Sequence, residues 1–243
     1  MTPASATRAL QETPLAPPEH ARPPKSEDEL MERARGLMGR SLGELATRFG
    51  RRVPDEPRRA KGFAGQLFEL ALGATAGSRS APDFERIGVE LKSVPVARSG
   101  MPTESTYVCT VDLIADPTLD WSASRARKKL ARVLWMPIQA DPALAFAERR
   151  LGRPILWSPD PATDALLRRD FDDLMEFVRL GHADRVTAHH GTALQIRPKG
   201  ADATSDAWGV DEDGHRAKVR ARGFYLRPTF TAAILATALR PGA

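Results

Sequence analysis

At 243 residues with a hydrophobic share of 42%, the chain is long enough to bury a sizeable core and fits one large domain or a domain with small lobes. A formal charge of +5 and a pI near 9.7 favour an anionic partner, and no apolar run approaches the roughly 18–20 residues of a membrane span. Met1 to Glu19 lacks the apolar segment of a secretory signal, and the single cysteine, Cys109, excludes an intramolecular disulfide and a cysteine-built zinc site, so a reducing cytoplasm is the expected setting.

Residues 1–25 are rich in Pro, Ala and Thr with few large apolar side chains, and read as a disordered tail ahead of a folded domain over 26–243. Ser26-Glu-Asp-Glu29 has the spacing of a capping box and opens a helix with apolar positions Leu30, Met31, Ala34, Leu37 and Met38. Ser41-Leu-Gly-Glu44 repeats the signal for a second short helix ending near Gly50, followed by a charged, proline-broken linker over 51–59. Leu67, Phe68, Ala71 and Leu72 make the apolar face of a third helix. Strands are expected at 88–96, 106–114, 133–138 and 154–157, then an amphipathic helix over 164–180. Two more strands at 193–197 and 223–226 precede a final helix over 229–239. Residues 202–222, polar and glycine-spotted, read as a surface loop. The alternation predicts an α/β fold with a mixed central sheet of about five or six strands flanked by helices.

The stretch from Pro82 to Lys92 carries the most chemistry. On a short strand Glu90 and Lys92 share one face while Leu91 turns to the core, and Asp83 can return to that face from a preceding turn. Carboxylates prefer hard cations such as Mg2+, and a lysine beside them can hold a phosphate or orient a water. Acid and lysine at such loose spacing turn up about once by chance in a chain this long, so the pattern needs corroboration. Lysine usage supplies some. Of 36 basic side chains only seven are lysines, at 25, 61, 92, 128, 129, 199 and 218, and a compact ammonium does things a guanidinium cannot.

Other constellations point the same way without deciding it. Glu69, between Phe68 and Leu70, is either a solvated helix edge or an acid near a bound cation. Arg125-Ala-Arg-Lys128-Lys129-Leu-Ala-Arg132 sets five cations in eight residues with no acid, which repel unless an anion balances them. Gln195-Ile-Arg197-Pro-Lys199 ends a strand with two cations, and Tyr225 lies between the apolar Phe224 and Leu226; each is a plain surface group or a groove contact. His189 and His190 are adjacent and point apart on a strand, which makes them poor co-ligands. No phosphate-binding Gly-rich loop, serine-nucleophile elbow or His-Glu-x-x-His helix is present.

Taken together, "KGFAGQLFELALGATAGS", "PDFERIGVELKSVPV", "RKKLARVLWMPI", "PILWSP", "LGHADRVTAHHGTALQIRPK" and "RGFYLRPTFTAAIL" follow the order found in MutH-type DNA mismatch-repair endonucleases. The resemblance runs from about Ser26 to Leu239. It implies a restriction-endonuclease-like core, two lobes forming a clamp around DNA, and Mg2+-dependent nicking of the unmethylated strand at hemimethylated GATC sites. It also implies action as a monomer with MutL-type and MutS-type partners. Position by position, Asp83 and Glu90 match the metal-binding acids, with the Leu91 carbonyl beside them. Glu69 matches a third acid near the metals and Lys92 the catalytic lysine. Lys61 and Lys129 match lysines near the cleft and DNA backbone, and Arg197, Lys199 and Tyr225 fall on the segments that read GATC and its adenine methylation. Two rival readings remain open. A restriction endonuclease cutting both strands would use the same chemistry, and a non-catalytic DNA-binding module would have been favoured by a degraded acid or lysine.

Overall fold

The computed structural model describes residues 22–55, 62–77, 80–114, 118–187, 189–199 and 206–237. The tail expected over residues 1–25 therefore falls almost wholly outside the described residues, as does Lys61.

Helix α1 (Glu27–Arg35) begins where Ser26 accepts a hydrogen bond from the Glu29 N–H, with three acids in its first turn and Arg33 and Arg35 in its last, matching the helix dipole. Only half of the expected capping box forms there, because the Glu29 carboxylate reaches the Lys25 N–H and Arg33 instead. At α2 (Leu42–Arg48) both halves are present between Ser41 and Glu44. Helix α3 spans Phe63–Leu72. Strand β1 (Glu90–Val96) follows, then β2 (Thr106–Thr110), helix α4 (Arg125–Leu130), β3 (Val133–Gln139) and β4 (Ile155–Trp157). Helix α5 (Pro161–Arg179) is capped by Asp160 and enters through a proline in its first turn. The chain ends with β5 (Leu194–Pro198), β6 (Asp206–Val210), β7 (Arg216–Arg220), β8 (Arg222–Leu226) and α6 (Pro228–Thr237).

The strands do not form one sheet of five or six. Among the described residues they make two three-stranded sheets, ordered β1-β3-β4 and β2-β8-β5, plus a β6-β7 pair. The first sheet is mixed: β1 runs parallel to β3, and β4 antiparallel to it. Strand β3 is buried on both faces. Leu134, Met136 and Ile138 join α1–α3 and Leu91 in one apolar core. Val133 and Trp135 face a second core, where Leu167, Phe171, Leu174 and Val178 of α5 meet Leu194, Ile196, Phe224 and Leu226 of the second sheet. Glu90 and Lys92 therefore lie where the two cores adjoin.

Two local expectations fail for identifiable reasons. The 106–114 run leaves the strand after Thr110, although Val111 and Leu113 remain buried, so their apolarity serves the core and not the ladder. The 202–222 "loop" holds the β6–β7 hairpin, paired from Asp206↔Arg220 to Val210↔Arg216. Its inward residues Ala207 and Val219 pack against the second core, while the charged residues between them mask that alternation in the sequence.

Candidate active site and nucleic-acid interface

Asp83 reaches β1 through a tight local turn. Phe84 bridges back to Val89, residues Glu85–Ile87 form a single 3₁₀ turn, and Gly88 takes φ 67°, a conformation open to glycine. The Asp83 carbonyl accepts from the Thr75 and Ala76 N–H groups, tying this turn to the exit of α3. Its carboxylate Oδ2 accepts the Leu91 N–H at 2.8 Å. The Glu90 N–H donates to the Arg132 carbonyl at 2.9 Å, so the end of α4 registers the start of β1.

Glu90 is only 3% exposed. Lys92 Nζ lies 2.7 Å from its Oε1, and Lys129 Nζ lies 2.7 Å from its Oε2. Lys129 also donates to the Ala81 carbonyl at 2.7 Å. A carboxylate this deep costs several kcal/mol unless paired, and here each oxygen has its own ammonium. Lys129 thus grips the acid cluster and the turn before Asp83 at once.

The remaining acids feel both burial and one another. Burial raises the Asp83 pKa, and the Glu90 charge raises it further, against the Leu91 N–H and the two lysines. Glu69, half-buried on α3, is raised first by burial and then by Asp83 and Glu90, with Lys129 opposing. The charges of Asp83 and Glu90 thus act on Glu69 from outside α3. Cys109 is near these charges, but burial pushes its thiol up to about 11, so it is no nucleophile at neutral pH.

A second group forms on the outer face of the β2-β8-β5 sheet. Tyr225 meets Tyr107 edge to face with ring centroids 5.3 Å apart. The Arg197 guanidinium sits 6.0 Å from the Tyr225 ring centre, and Lys199 Nζ 5.8 Å from that of Tyr107. Arg197 donates to Ser105 Oγ at 3.0 Å, and Lys199 to Thr110 Oγ1 at 2.8 Å, an oxygen that also meets the Tyr107 hydroxyl at 3.0 Å. Gly223 makes room for both rings: a Cβ there would lie 2.9 Å from Tyr107 Cε2 and 3.1 Å from Tyr225 Cε2. Burial raises the Tyr225 pKa, so its hydroxyl stays a donor near neutral pH. Stacked aromatics, cations and hydroxyls on an exposed sheet face suit contact with base edges and phosphates.

Asp83, Glu90, Leu91, Lys92 and Lys129 are thus brought together, with Glu69 coupled to them through charge. Arg197, Lys199 and Tyr225 share a separate face. Sequence reasoning missed Tyr107, Gly223 and Asp170. Tyr107 had a legible signal, since alternation on β2 turns it out while Val108 is buried. Asp170 had none. It is buried on α5, and its Oδ2 accepts the N–H groups of Thr192, Ala193 and Leu194 at 2.9, 2.6 and 2.9 Å, which anchors the start of β5. His190 braces the same loop, its Nδ1 meeting the Thr187 N–H at 3.0 Å and its ring standing 4.6 Å from that of Phe177.

The family model described as "DNA mismatch repair enzyme MutH" matches residues 72–170, the span that holds Asp83, Glu90, Lys92 and Lys129. The DNA mismatch repair protein MutH of Serratia proteamaculans is 43% identical over 92% of this chain and 96% of its own length. Those of Shewanella amazonensis and Vibrio parahaemolyticus are 48% and 45% identical, over 88% and 87% of this chain and 95% and 94% of theirs. This chain belongs to the MutH family. It is a DNA mismatch-repair endonuclease with the restriction-endonuclease-like α/β fold. A further group able to ligate a divalent ion, Asp211, Asp213 and His215, brings three ligand atoms within 4.8 Å on the β6–β7 turn. It shares no residue with the Glu90 cluster, and Asp211 Oδ1 already accepts from the N–H groups of Asp213 and His215.

Proposed function

We propose that the chain nicks the unmethylated strand at hemimethylated GATC sites in methyl-directed mismatch repair, using Mg2+. In this reading it works as a cytoplasmic monomer, is activated by MutL-type and MutS-type proteins, and closes two lobes, one around each apolar core, as a clamp on DNA. The observation that carries the reading is Glu90, buried and bonded by Lys92 and Lys129 at 2.7 Å each, beside an Asp83 pinned to the Leu91 N–H.

The residues fit a hard divalent ion by their donor chemistry. Asp83, Glu69 and Glu90 repel one another in a half-desolvated corner, and the raised pKa values of the first two express a cost that a dication relieves. Asp83 and Glu90, with the Leu91 carbonyl, would hold it, and Glu69 would add charge from α3. Such an ion supplies Lewis-acid polarisation of a phosphodiester and eases deprotonation of a water. Lys92, sharing the face of Glu90, would position the attacking water or offset charge developing on the phosphoryl oxygens. Lys129 would keep Glu90 oriented through its second bond to Ala81. Arg197, Lys199 and Tyr225, with Tyr107 beside them, would read the site and the adenine methyl group, and Lys61 would meet the DNA backbone.

The test is plasmid nicking with Mg2+ on unmethylated, hemimethylated and fully methylated GATC, with and without a MutL-type protein. Lys92→Ala should lower the nicking rate by about 10²–10³-fold while duplex binding is retained. Undiminished cleavage by this variant would remove the mechanism, and cleavage blind to methylation would remove the specificity. Cutting of both strands would favour a restriction-type activity.

A further inference from the structure

The β6–β7 hairpin carries a group that the acid–lysine corner and the Tyr225 face leave unused. Its inner face is spent on the second core through Ala207 and Val219. On its outer face Trp208 is 46% exposed, although burying the indole would stabilise the fold. Lys218, directly opposite, holds its Nζ 4.3 Å from the Trp208 ring centre, and the Arg216 guanidinium is 4.5 Å away. Arg220 continues the row, and all four side chains are exposed.

Spacing and charge say what such a surface takes. Alternate residues on a strand lie about 6.6–6.8 Å apart, close to two rises of roughly 3.4 Å along a nucleic-acid strand. Arg216, Lys218 and Arg220 therefore step along β7 at a pitch suited to a phosphate backbone. Against these three cations the face has one carboxylate, Asp206, opposite Arg220. Of the acids in the turn, Glu212 pairs with Arg185 and Asp211 accepts from its own turn, while Asp213 sits at the tip, beyond the strand residues that carry the cations. The Arg185–Glu212 pair also braces the tip against the 3₁₀ turn over Ala183–Arg185, so the cations are presented on a held scaffold.

The hairpin is continuous with the Tyr225 face. Strand β7 runs directly into β8 through Ala221, and the Lys199 N–H donates to the Ala221 carbonyl at 2.9 Å. We infer that the outer face of this hairpin is a second DNA contact, in which Arg216, Lys218 and Arg220 take phosphates of the duplex flanking the recognised sequence and Trp208 packs on its sugar–phosphate edge. Contacts of this kind carry no sequence information and add salt-sensitive affinity and register. The inference rests on the reading that Arg197, Lys199 and Tyr225 face the target site.

The experiment measures binding of the full chain to two duplexes with one central target site, about 12 bp and about 40 bp long, the shorter covering roughly one helical turn, across a salt series. The wild type should bind the longer duplex more tightly and with a steeper salt dependence. Trp208→Ala/Arg216→Gln/Lys218→Gln should lose that gain, its log–log salt slope on the longer duplex falling by about 2, while short-duplex binding and nicking stay as in wild type. Arg216→Gln/Lys218→Gln, which keeps the indole, guards against a folding defect and should lose most of the same gain. An unchanged slope in both variants overturns the inference. So does a pattern in which they keep every DNA property and lose only stimulation by an added repair protein, which would make the face a protein contact. If the wild type ignores the target sequence yet keeps a length-dependent gain that the variants lose, the recognition reading fails while the hairpin contact stands.

Discussion

The acid–lysine corner and the Tyr225 face are built by opposite means. The corner is buried and takes most of its parts from one short stretch, with Asp83, Glu90, Leu91 and Lys92 delivered by a single turn and strand; α4 adds Lys129, and α3 adds Glu69. The face is exposed and draws on three strands far apart in sequence, so that Tyr107, Arg197, Lys199 and Tyr225 meet only after β2, β8 and β5 pair. Charges in the corner are already bonded to one another at 2.7 Å, as desolvation demands. On the face the cations rest against rings and hydroxyls, contacts cheap enough to exchange for a ligand. In the proposed function, chemistry on a phosphodiester uses the first arrangement and reading a sequence uses the second.

The largest test of that contrast is Lys129→Ala. Removing one ammonium from a buried carboxylate should lower nicking by about 10²–10³-fold, with a far smaller change in affinity for a target duplex measured by anisotropy. Equal losses in rate and affinity would instead make Lys129 a backbone contact and blur the two regions. Next comes Gly223→Ala, which forces Tyr107 or Tyr225 to shift. Discrimination between the preferred and a one-base-altered site should fall by about tenfold, the scale of one lost base contact, while the maximal rate on the preferred site changes little. Unaltered discrimination would detach the tyrosine pair from recognition.

The smallest effect is one of stability and pH. The folded pKa values of Asp83 and Glu69 lie above their ordinary 3.8 and 4.5. The folded protein therefore holds these protons more firmly than the unfolded chain. Their contribution to stability is present below the ordinary values and lost as pH rises through the raised ones. Mg2+ should therefore raise the Tm by a few degrees more above that window than below it, and Asp83→Asn should remove most of the increment while raising the metal-free Tm at the higher pH. A Mg2+ increment independent of pH in thermal melts would separate these acids from the ion.

Much of this was legible along the chain. The 3.6-residue apolar period marked α1, α3 and α5, capping-box spacing marked α2, and alternation marked β1, because local burial and capping write themselves into local sequence. The Asp83–Lys92 turn was readable for the same reason: its acids and lysine are separated by a turn and a strand step. What stayed hidden depends on pairs distant in sequence. Lys129 was visible as one of a run of cations, but not its bonds to Glu90 and Ala81, 39 and 48 residues away. The β6–β7 hairpin looked like a loop because about half of its residues are charged and most of the others are small, which hides the alternation. Asp170 looked like one more acid on a polar helix face, since nothing nearby in sequence announces the three N–H groups it accepts.

The sequence by itself determined every helix but α4, most strands, the family and the residue types of the acid–lysine corner, because each rests on spacing within a few residues. Only the tertiary structure decided that the strands divide into two sheets, that Lys129 closes on Glu90, and that Tyr107 joins Tyr225. Those outcomes depend on which buried faces meet, and the contacts that settle them span tens of residues or more.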